Sequence, residues 1–551
     1  MSTRNKVLLA VLSGVLLGFS YPPIPSGILA MVAFVPLFLV LGSIDEYRQA
    51  FRYSYLTFFV FNLITLYWTG GFAHGRDEYM MVAGGMLILA HPFFFILPVC
   101  AWMFFKKYFG FKHALVAFPI FWVAFEYLHS LWEISFPWLT LGNTQTYDLA
   151  FIQIAAYTGV YGISLLILSI NVLFCFLVIR VREGMSSRNW LRVTLHAIAI
   201  VAAYGVPRFY GSTVLNTSEV SPGTDIRVGI VQPNIDPFEK WGGKEMNILS
   251  SLQTLTDSLR PHEVDLIIWP ETAIPFYLLE PEYHNSLEAI RRECDSLDAP
   301  LLTGIPDMLH YPDTEHAPPG SKHFSNGQAY ETFNGSVLIQ PRSEVIQRYA
   351  KMALVPFAER VPYSEYLSIL NAARWNFGMG GWGIGQDTTV FEFQPANGIP
   401  LRFSNMICYE SAYPDLVAAF VRKGAEFLTV ITNDSWWGNT SGAYQHRQVA
   451  VLRAIENRRW IVQCANGGIS CIVDPAGRIV AEEGMFLRCI LRGSARTSSE
   501  LTFYSLHGDW IADLCLMLSL FFLMAAFGTR IYTKIRGFQE KTSTHDNSHG
   551  M

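Results

Sequence analysis

The sequence predicts a bundle of membrane helices joined to an α/β domain, with the α/β domain inserted before the last of eight transmembrane helices. Three observations predict it. The 551 residues are 51% apolar and only 15% charged, with a mean hydropathy of +0.26, whereas soluble domains run nearer a quarter charged. The apolar residues gather in long runs before about residue 207 and in one more near the C-terminus. Between them, strand-like and helix-like stretches alternate.

Runs of about 17–25 apolar residues can cross a bilayer as helices. Such runs lie near 7–22, 26–43, 54–70, 79–105, 114–130, 158–179 and 193–207, so residues 1–207 read as a transmembrane bundle of seven helices. An eighth helix is expected at 509–530, followed by a cytoplasmic tail, 531–551, disordered from Lys541. The first run, behind Arg4 and Lys6, lacks a small-x-small cleavage site and is followed by further spans. It reads as a retained helix rather than a signal peptide.

Lysine and arginine set the orientation. One set of loops carries Arg4 and Lys6, Arg48 and Arg52, Lys106, Lys107 and Lys112, Arg180 to Arg192, and Arg530 to Arg536; the alternate short loops carry only Arg76. Both termini then face the cytoplasm, and residues 208–500 lie on the outer face. In a bacterium with two membranes this is a multi-pass inner-membrane protein with a periplasmic domain. The 14% aromatic content suits a chain that meets a membrane interface. A net charge of −5 offers no basic field for nucleic acid. The eight cysteines show no C-x-x-C or Cys/His ligand spacing, so neither a metal site nor a disulfide framework is expected.

Within 208–500, strands are expected at Ile226–Gln232, Asp265–Trp269 and Leu301–Ile305, and as a hairpin at 333–340 and 345–349. Helices are expected over 245–259 and 281–296. Further on come strands at 401–407 and 427–432, helices from about Tyr413 and over 443–458, and short strands to about 493.

Three places in this domain carry chemistry. Glu271, in Trp269-Pro-Glu-Thr272, ends a buried strand, where α/β folds bind ligands. Lys351 and Glu359 flank an apolar segment broken by Pro356. Cys408 ends a strand just before a helix, so the thiol is presented at an elbow where a helix N-terminus favours thiolate. Any one of the three alone is more commonly structural. Together they supply a base (Glu271), a positive charge for an oxyanion (Lys351) and a nucleophile (Cys408). His446 stays open as an alternative base.

Glu271, Lys351 and Cys408, in this order, resemble the Glu-Lys-Cys triad of the nitrilase superfamily. The whole chain resembles the apolipoprotein N-acyltransferase family. The match runs through Ser20-Tyr-Pro-Pro23, Phe136-Pro-Trp138 to Gln145, Gln232-Pro-Asn-Ile235, Cys408-Tyr-Glu410, Asn433-Asp-Ser-Trp-Trp437, Gln445-His446 and Arg453 to Arg459. The resemblance implies a nitrilase-like αββα sandwich and a ping-pong acyl transfer without a cofactor. It implies a phospholipid donor, commonly phosphatidylethanolamine, and a diacylglyceryl apolipoprotein acceptor; a monomer is expected. It makes Glu271 the base, and Lys351 with the Tyr409 N–H the oxyanion partners. Glu359 would orient Lys351, Tyr409 and Glu410 would shape the elbow, and Trp241 would stand at the lipid entrance.

One departure from the family is Ala358-Glu359-Arg360, where a glycine is common before the glutamate. Alanine tolerates positive φ poorly, which leaves the shape of this loop open. The glycine-rich 378–385 segment lacks the Lys-Ser/Thr of a P-loop and reads as a mobile lid with Trp382 dipping into the bilayer. Glu126, near a span end beside Tyr127 and His129, is a functional candidate by its position, with a structural interface role weighing at least as much. Two other functions use the same layout: a membrane-tethered amidase, and a transporter or receptor with a degenerate α/β domain.

Overall fold

The computed structural model describes all residues except 184–186, 218–222, 242–244, 261, 313–315, 319–320, 364–380, 396–397 and 547–551. Among the described residues, eight α-helices precede the first strand: α1 (Thr3–Phe19), α2 (Val35–Gly42), α3 (Tyr47–Thr65), α4 (Glu78–Ala90), α5 (Ile96–Ser130), α6 (Leu149–Ile152), α7 (Ala155–Arg182) and α8 (Ser187–Thr217). Among the described residues, four stretches are long and apolar enough to cross a membrane: Glu78–Ser130, Ala155–Arg182, Asn189–Thr217 and Trp510–Arg536.

Several expected spans take a different form. The 26–43 run is a 3-10 turn, Gly27–Met31, followed by the short α2. Pro36 suits the start of that helix because proline lacks an N–H. Broken backbone at membrane depth needs polar partners, and Asn171 of α7 supplies them. Its Oδ1 accepts from Phe34 N at 2.8 Å, and its Nδ2 donates to Ala30 O at 2.8 Å. The helix α5 holds two arms that meet at Gly110, whose φ of +78° is non-helical. Trp102 ties the arms together by donating to the Ala114 carbonyl at 2.6 Å.

The inserted domain contains two sheets. The first is built from β1 (Asp225–Gln232), β2 (Leu266–Ile268), β3 (Leu301–His310), β4 (Lys322–His323), β5 (Ala329–Ile339), β6 (Ile346–Ala350) and, from the chain end, β13 (Cys489–Arg496). Its order is β13-β1-β2-β3-β5-β4, with β6 also on β5. The second has β7 (Phe391–Phe393), β8 (Leu401–Ile407), β9 (Phe427–Thr432), β10 (Ile461–Ala465), β11 (Ser470–Val473) and β12 (Ile479–Glu483), in the order β12-β11-β10-β9-β8-β7. In each sheet three central strands run parallel, β1-β2-β3 and β8-β9-β10, and antiparallel strands flank them. The β3 strand outruns its expected end at Ile305 because β5 pairs with it as far as His310↔Tyr330.

Alternation along the strands fixes the layers. On β1 and β2, Ile226, Val228, Ile230, Leu266 and Ile268 face one core, while Val231 and Ile267 face the other. The first core lies between the sheets, where Asn405 Nδ2 donates to Ser336 Oγ across 3.1 Å. The second lies beneath α9 (Glu245–Asp257) and α10 (His284–Leu297). Helices α11 (Pro414–Arg422) and α12 (Ser441–Asn457) cover the other sheet, completing four layers.

The sandwich is docked on the bundle. Gln445 of α12 is the main polar pin. Its Oε1 accepts from Trp68 Nε1 at 3.1 Å and Trp138 Nε1 at 2.8 Å, and its Nε2 donates to Pro22 O and Thr65 O at 3.2 Å. Glu456 accepts from Val160 N at 2.8 Å. After α13 (Phe503–His507) the chain ends in α14 (Trp510–Asp546). The tail expected to be disordered from Lys541 is thus helical to Asp546. A helix already nucleated extends cheaply through good formers such as Gln539, Glu540 and Lys541.

Candidate functional site

The candidate residues meet where β2, β6 and β8 end. Glu271 follows β2 in a tight turn, with Thr272 at φ +44°. A Cβ at Gly304 would lie 2.5 Å from Thr272 N and 2.8 Å from the Glu271 Cα, so only glycine on β3 lets this turn pass. Lys351 follows β6, its N–H donating to Asn334 O at 2.9 Å. Cys408 follows β8 at φ +53° and opens a 3-10 turn, Cys408–Ala412.

Lys351 is almost wholly buried. Its ammonium donates to Glu359 Oε1 at 2.9 Å and Glu271 Oε1 at 3.3 Å. Burial opposes that charge, but Glu359 and then Glu271 hold Lys351 well above the usual lysine value. Asn334 bridges the same two carboxylates, donating to each at 2.8 Å. Glu359 Oε2 accepts from Val355 N at 2.7 Å, closing the loop that Lys351 begins. In that loop the positive φ falls on Phe357 (φ +64°), so Ala358 is not asked for the conformation that glycine would ease.

Burial pushes the Cys408 thiol well above its ordinary value. Glu271 raises it further, and Lys351 and the Thr432 hydroxyl pull it down only in part. Desolvation thus outweighs the pull toward thiolate expected of the elbow. Alkylation of Cys408 by iodoacetamide is therefore expected to be slower at pH 7 than for an exposed cysteine and to keep rising above about pH 9, past the ordinary thiol range. A rate that levels off below pH 8 would contradict this.

Glu410 is fully buried and joins the two halves of the site. Its Oε2 accepts from Ile407 N at 2.7 Å, and its Oε1 accepts from Met352 N and the Tyr349 hydroxyl, each at 2.6 Å. Tyr409 turns toward the bundle and donates to Ser135 O at 3.0 Å. A cleft of about 220 Å³ opens there, lined by Trp132, Ser135, Met352, Leu354, Pro356 and Tyr413. A larger cavity, about 430 Å³, lies at Tyr147, Arg447 and Glu482, away from the candidate residues.

Lys240 and Asn334 were not singled out by sequence reasoning. Lys240 is fully buried and donates to Thr272 Oγ1 at 2.8 Å and Glu271 O at 3.2 Å. Burial pushes it down to about 7, against the pull of Glu271. Its neighbour Trp241 is half-buried, and its indole N–H has no partner among the described residues. Of the 378–385 segment, residues 378–380 lie outside the described residues. The rest is pinned: Gly381 N and Trp382 N donate to Glu359 O, and Gly385 N donates to Lys351 O at 2.8 Å. Trp382 is buried, not dipped in lipid. Glu126 accepts from Trp122 Nε1 at 2.9 Å and Leu141 N at 2.8 Å, anchoring the segment that carries Trp138.

The sulfur of Cys408, a carboxylate oxygen of Asp434 and a ring nitrogen of His446 lie within 4.8 Å of one another. Such a donor set could accept a zinc-like cation, but Asp434 and His446 already bond each other at 2.9 Å.

Residues 13–173 match the apolipoprotein N-acyltransferase N-terminal domain, and residues 227–488 match the carbon-nitrogen hydrolase family. An apolipoprotein N-acyltransferase of Chlorobaculum tepidum is 38% identical over 92% of this chain and 94% of its own length. The chain belongs to the apolipoprotein N-acyltransferase family. One from Geobacter metallireducens is 31% identical over 93% of each chain. Two solved structures are also similar. A Saccharomyces cerevisiae member of the nitrilase superfamily is 18% identical over 51% of this chain and 92% of its own, with a TM-score of 0.36. An amidase from Nesterenkonia is 16% identical over 52% and 99%, with a TM-score of 0.35. Family membership makes this an acyltransferase with a nitrilase-like domain and a set of apolar helices suited to a membrane.

Proposed function

We propose that the protein moves a fatty acyl chain from a phospholipid, through a thioester on Cys408, to the N-terminal amine of a diacylglyceryl-cysteine on an apolipoprotein. The observation that supports this most is the meeting of Glu271, Lys351 and Cys408 at an elbow packed against the apolar bundle. A soluble amide substrate gives no reason for that docking.

In the first half-reaction Glu271 takes the thiol proton as the Cys408 sulfur attacks the sn-1 ester carbonyl. The tetrahedral oxyanion is stabilised by the Lys351 ammonium and the Tyr409 N–H. Collapse breaks the C–O bond, and the leaving alkoxide takes the proton from Glu271, releasing lysophospholipid. In the second half-reaction the acceptor amine attacks the thioester and loses a proton to Glu271. The C–S bond breaks, the amide forms, and the proton returns to the Cys408 sulfur. A membrane-facing cleft keeps water from the thioester. Glu359 orients Lys351, Glu410 shapes the elbow and Trp241 guards the lipid entrance. The chain crosses the inner membrane eight times, holds this domain in the periplasm, acts as a monomer and draws on phosphatidylethanolamine.

Intact-protein mass spectrometry after mixing with phosphatidylethanolamine tests the reading. The expected result is a hydroxylamine-labile gain of one fatty acyl group, absent in Cys408→Ala. No adduct on folded protein, with turnover of a small amide instead, would overturn it in favour of an amidase.

A further inference from the structure

The Cys408 carbonyl is gripped by a side chain of α12. His446, on α12, is fully buried, with its ring centroid 5.4 Å from that of Trp138. Its Nε2 lies 3.1 Å from Cys408 O and 3.0 Å from Ser411 Oγ. Its Nδ1 lies 2.9 Å from Asp434 Oδ1. Asp434 is fully buried as well; Thr432 Oγ1 donates to its Oδ1 at 2.8 Å, and its Oδ2 has no hydrogen-bond partner among the described residues.

A buried polar group is costly unless it is hydrogen-bonded. The two ring nitrogens of His446 face a carboxylate and a carbonyl, one partner on each side. Asp434 thereby sets the ring, and the ring holds the Cys408 carbonyl, to which Ser411 Oγ also donates at 3.0 Å.

That carbonyl belongs to the same planar peptide as the Tyr409 N–H. In a trans peptide the C=O and N–H point in opposite directions. Fixing the carbonyl toward His446 aims the N–H the other way. The N–H lies in the first turn after the strand, where no helical carbonyl accepts it. Cys408 sits at φ +53°, a strained setting that persists only when its surroundings over-determine it. We infer that His446, anchored by Asp434, is a positioning residue that grips the Cys408 carbonyl and so aims the Tyr409 N–H at the oxyanion.

The inference rests on the acyl-transfer reading, and its test uses two rates on the full-length protein in detergent. One is single-turnover acylation by phosphatidylethanolamine, read by intact mass. The other is alkylation of Cys408 by iodoacetamide at the same pH, which senses the thiol and the fold but forms no oxyanion. For His446→Leu, acylation is expected to fall about 10–100-fold, the scale of a misaimed oxyanion donor, with alkylation changed less than about twofold. His446→Gln, whose amide N–H reaches the position of Nε2, should recover most of the loss. Asp434→Asn keeps an acceptor for the ring but removes the charge, and should lower acylation in the same direction. It decides the matter if the leucine variant does not fold. Unchanged acylation in the folded variant overturns the inference, as does alkylation that falls in step with acylation, which would place His446 on the thiol itself. Wild-type protein that forms no acyl-enzyme sinks the acyl-transfer reading and this inference with it.

Discussion

Replacing Lys351 with methionine is expected to slow acyl-enzyme formation by about 10³-fold or more, because three effects act together. The oxyanion loses its only charged partner among the candidate residues. The thiol, already raised by burial, loses the cation that pulls it down. The two carboxylates that the ammonium held at 2.9 and 3.3 Å are left facing one another across the Asn334 amide. Like charges so close do not both stay ionised, so the proposed base is protonated or displaced. Breaking a buried ion cluster by removing one partner costs about 3–5 kcal/mol of stability. At neutral pH that stabilisation is fully present. Lys351 titrates above its ordinary value in the folded protein, so its contribution is lost only as pH rises beyond about 10. The double variant Lys351→Met/Glu359→Gln separates the effects. It should regain part of the thermal stability in detergent, since one stranded charge is gone, but none of the acylation. Acylation within tenfold of wild type in the single variant would remove Lys351 from the chemistry.

What could be seen in the sequence and what could not follows from where the signal lies. Glu271 and Cys408 end strands, and strand ends are marked by the switch from an apolar run to a turn, so their placement was legible. Lys351 and Glu359 stood out because two charges flank a short apolar segment. Asn334 carried no such mark. It is one polar residue on β5, and its meaning comes from Glu271, 63 residues away in the chain. Lys240 was hidden in the same way beside the more conspicuous Trp241. In the bundle, hydropathy reported burial without saying whether lipid or protein does the burying. The 26–43 run therefore reads as one unbroken helix, whereas it is a 3-10 turn and a short helix whose Phe34, Leu37 and Phe38 pack wholly inside the protein, with Asn171 mending the broken backbone. The glycine-rich segment misled for a related reason. Flexibility of the free chain was inferred from composition, yet residues 381–385 are tied to the backbone of Glu359, Thr332 and Lys351.

Replacing Glu410 with alanine is expected to cost about 10²-fold in acylation and about 3–5 kcal/mol in stability, although this side chain touches no reacting atom in the proposed steps. The reason is that Glu410 ties the Cys408 elbow to the Lys351 loop and so sets the distance between the proposed nucleophile and the proposed oxyanion partner. One oxygen holds Ile407, the residue before Cys408; the other holds Met352, the residue after Lys351, together with the Tyr349 hydroxyl. Without it, these buried donors lose their acceptor and the two loops are free to separate, and a misplacement of about 1 Å can cost about 10²-fold. Thiol alkylation by iodoacetamide should persist, because Cys408 remains, so the two rates part company. Burial pushes the Glu410 carboxyl up from 4.5 to about 7. Relative to the unfolded chain, the folded protein therefore favours the protonated form, and this contribution is present below about pH 4.5 and lost as pH rises through 7. Glutamine cannot titrate. The margin in unfolding midpoint of wild type over Glu410→Gln should accordingly shrink between those two pH values. A margin that widens with pH would mean that the hydrogen bonds donated to the carboxylate outweigh its burial, and that Glu410 is ionised throughout.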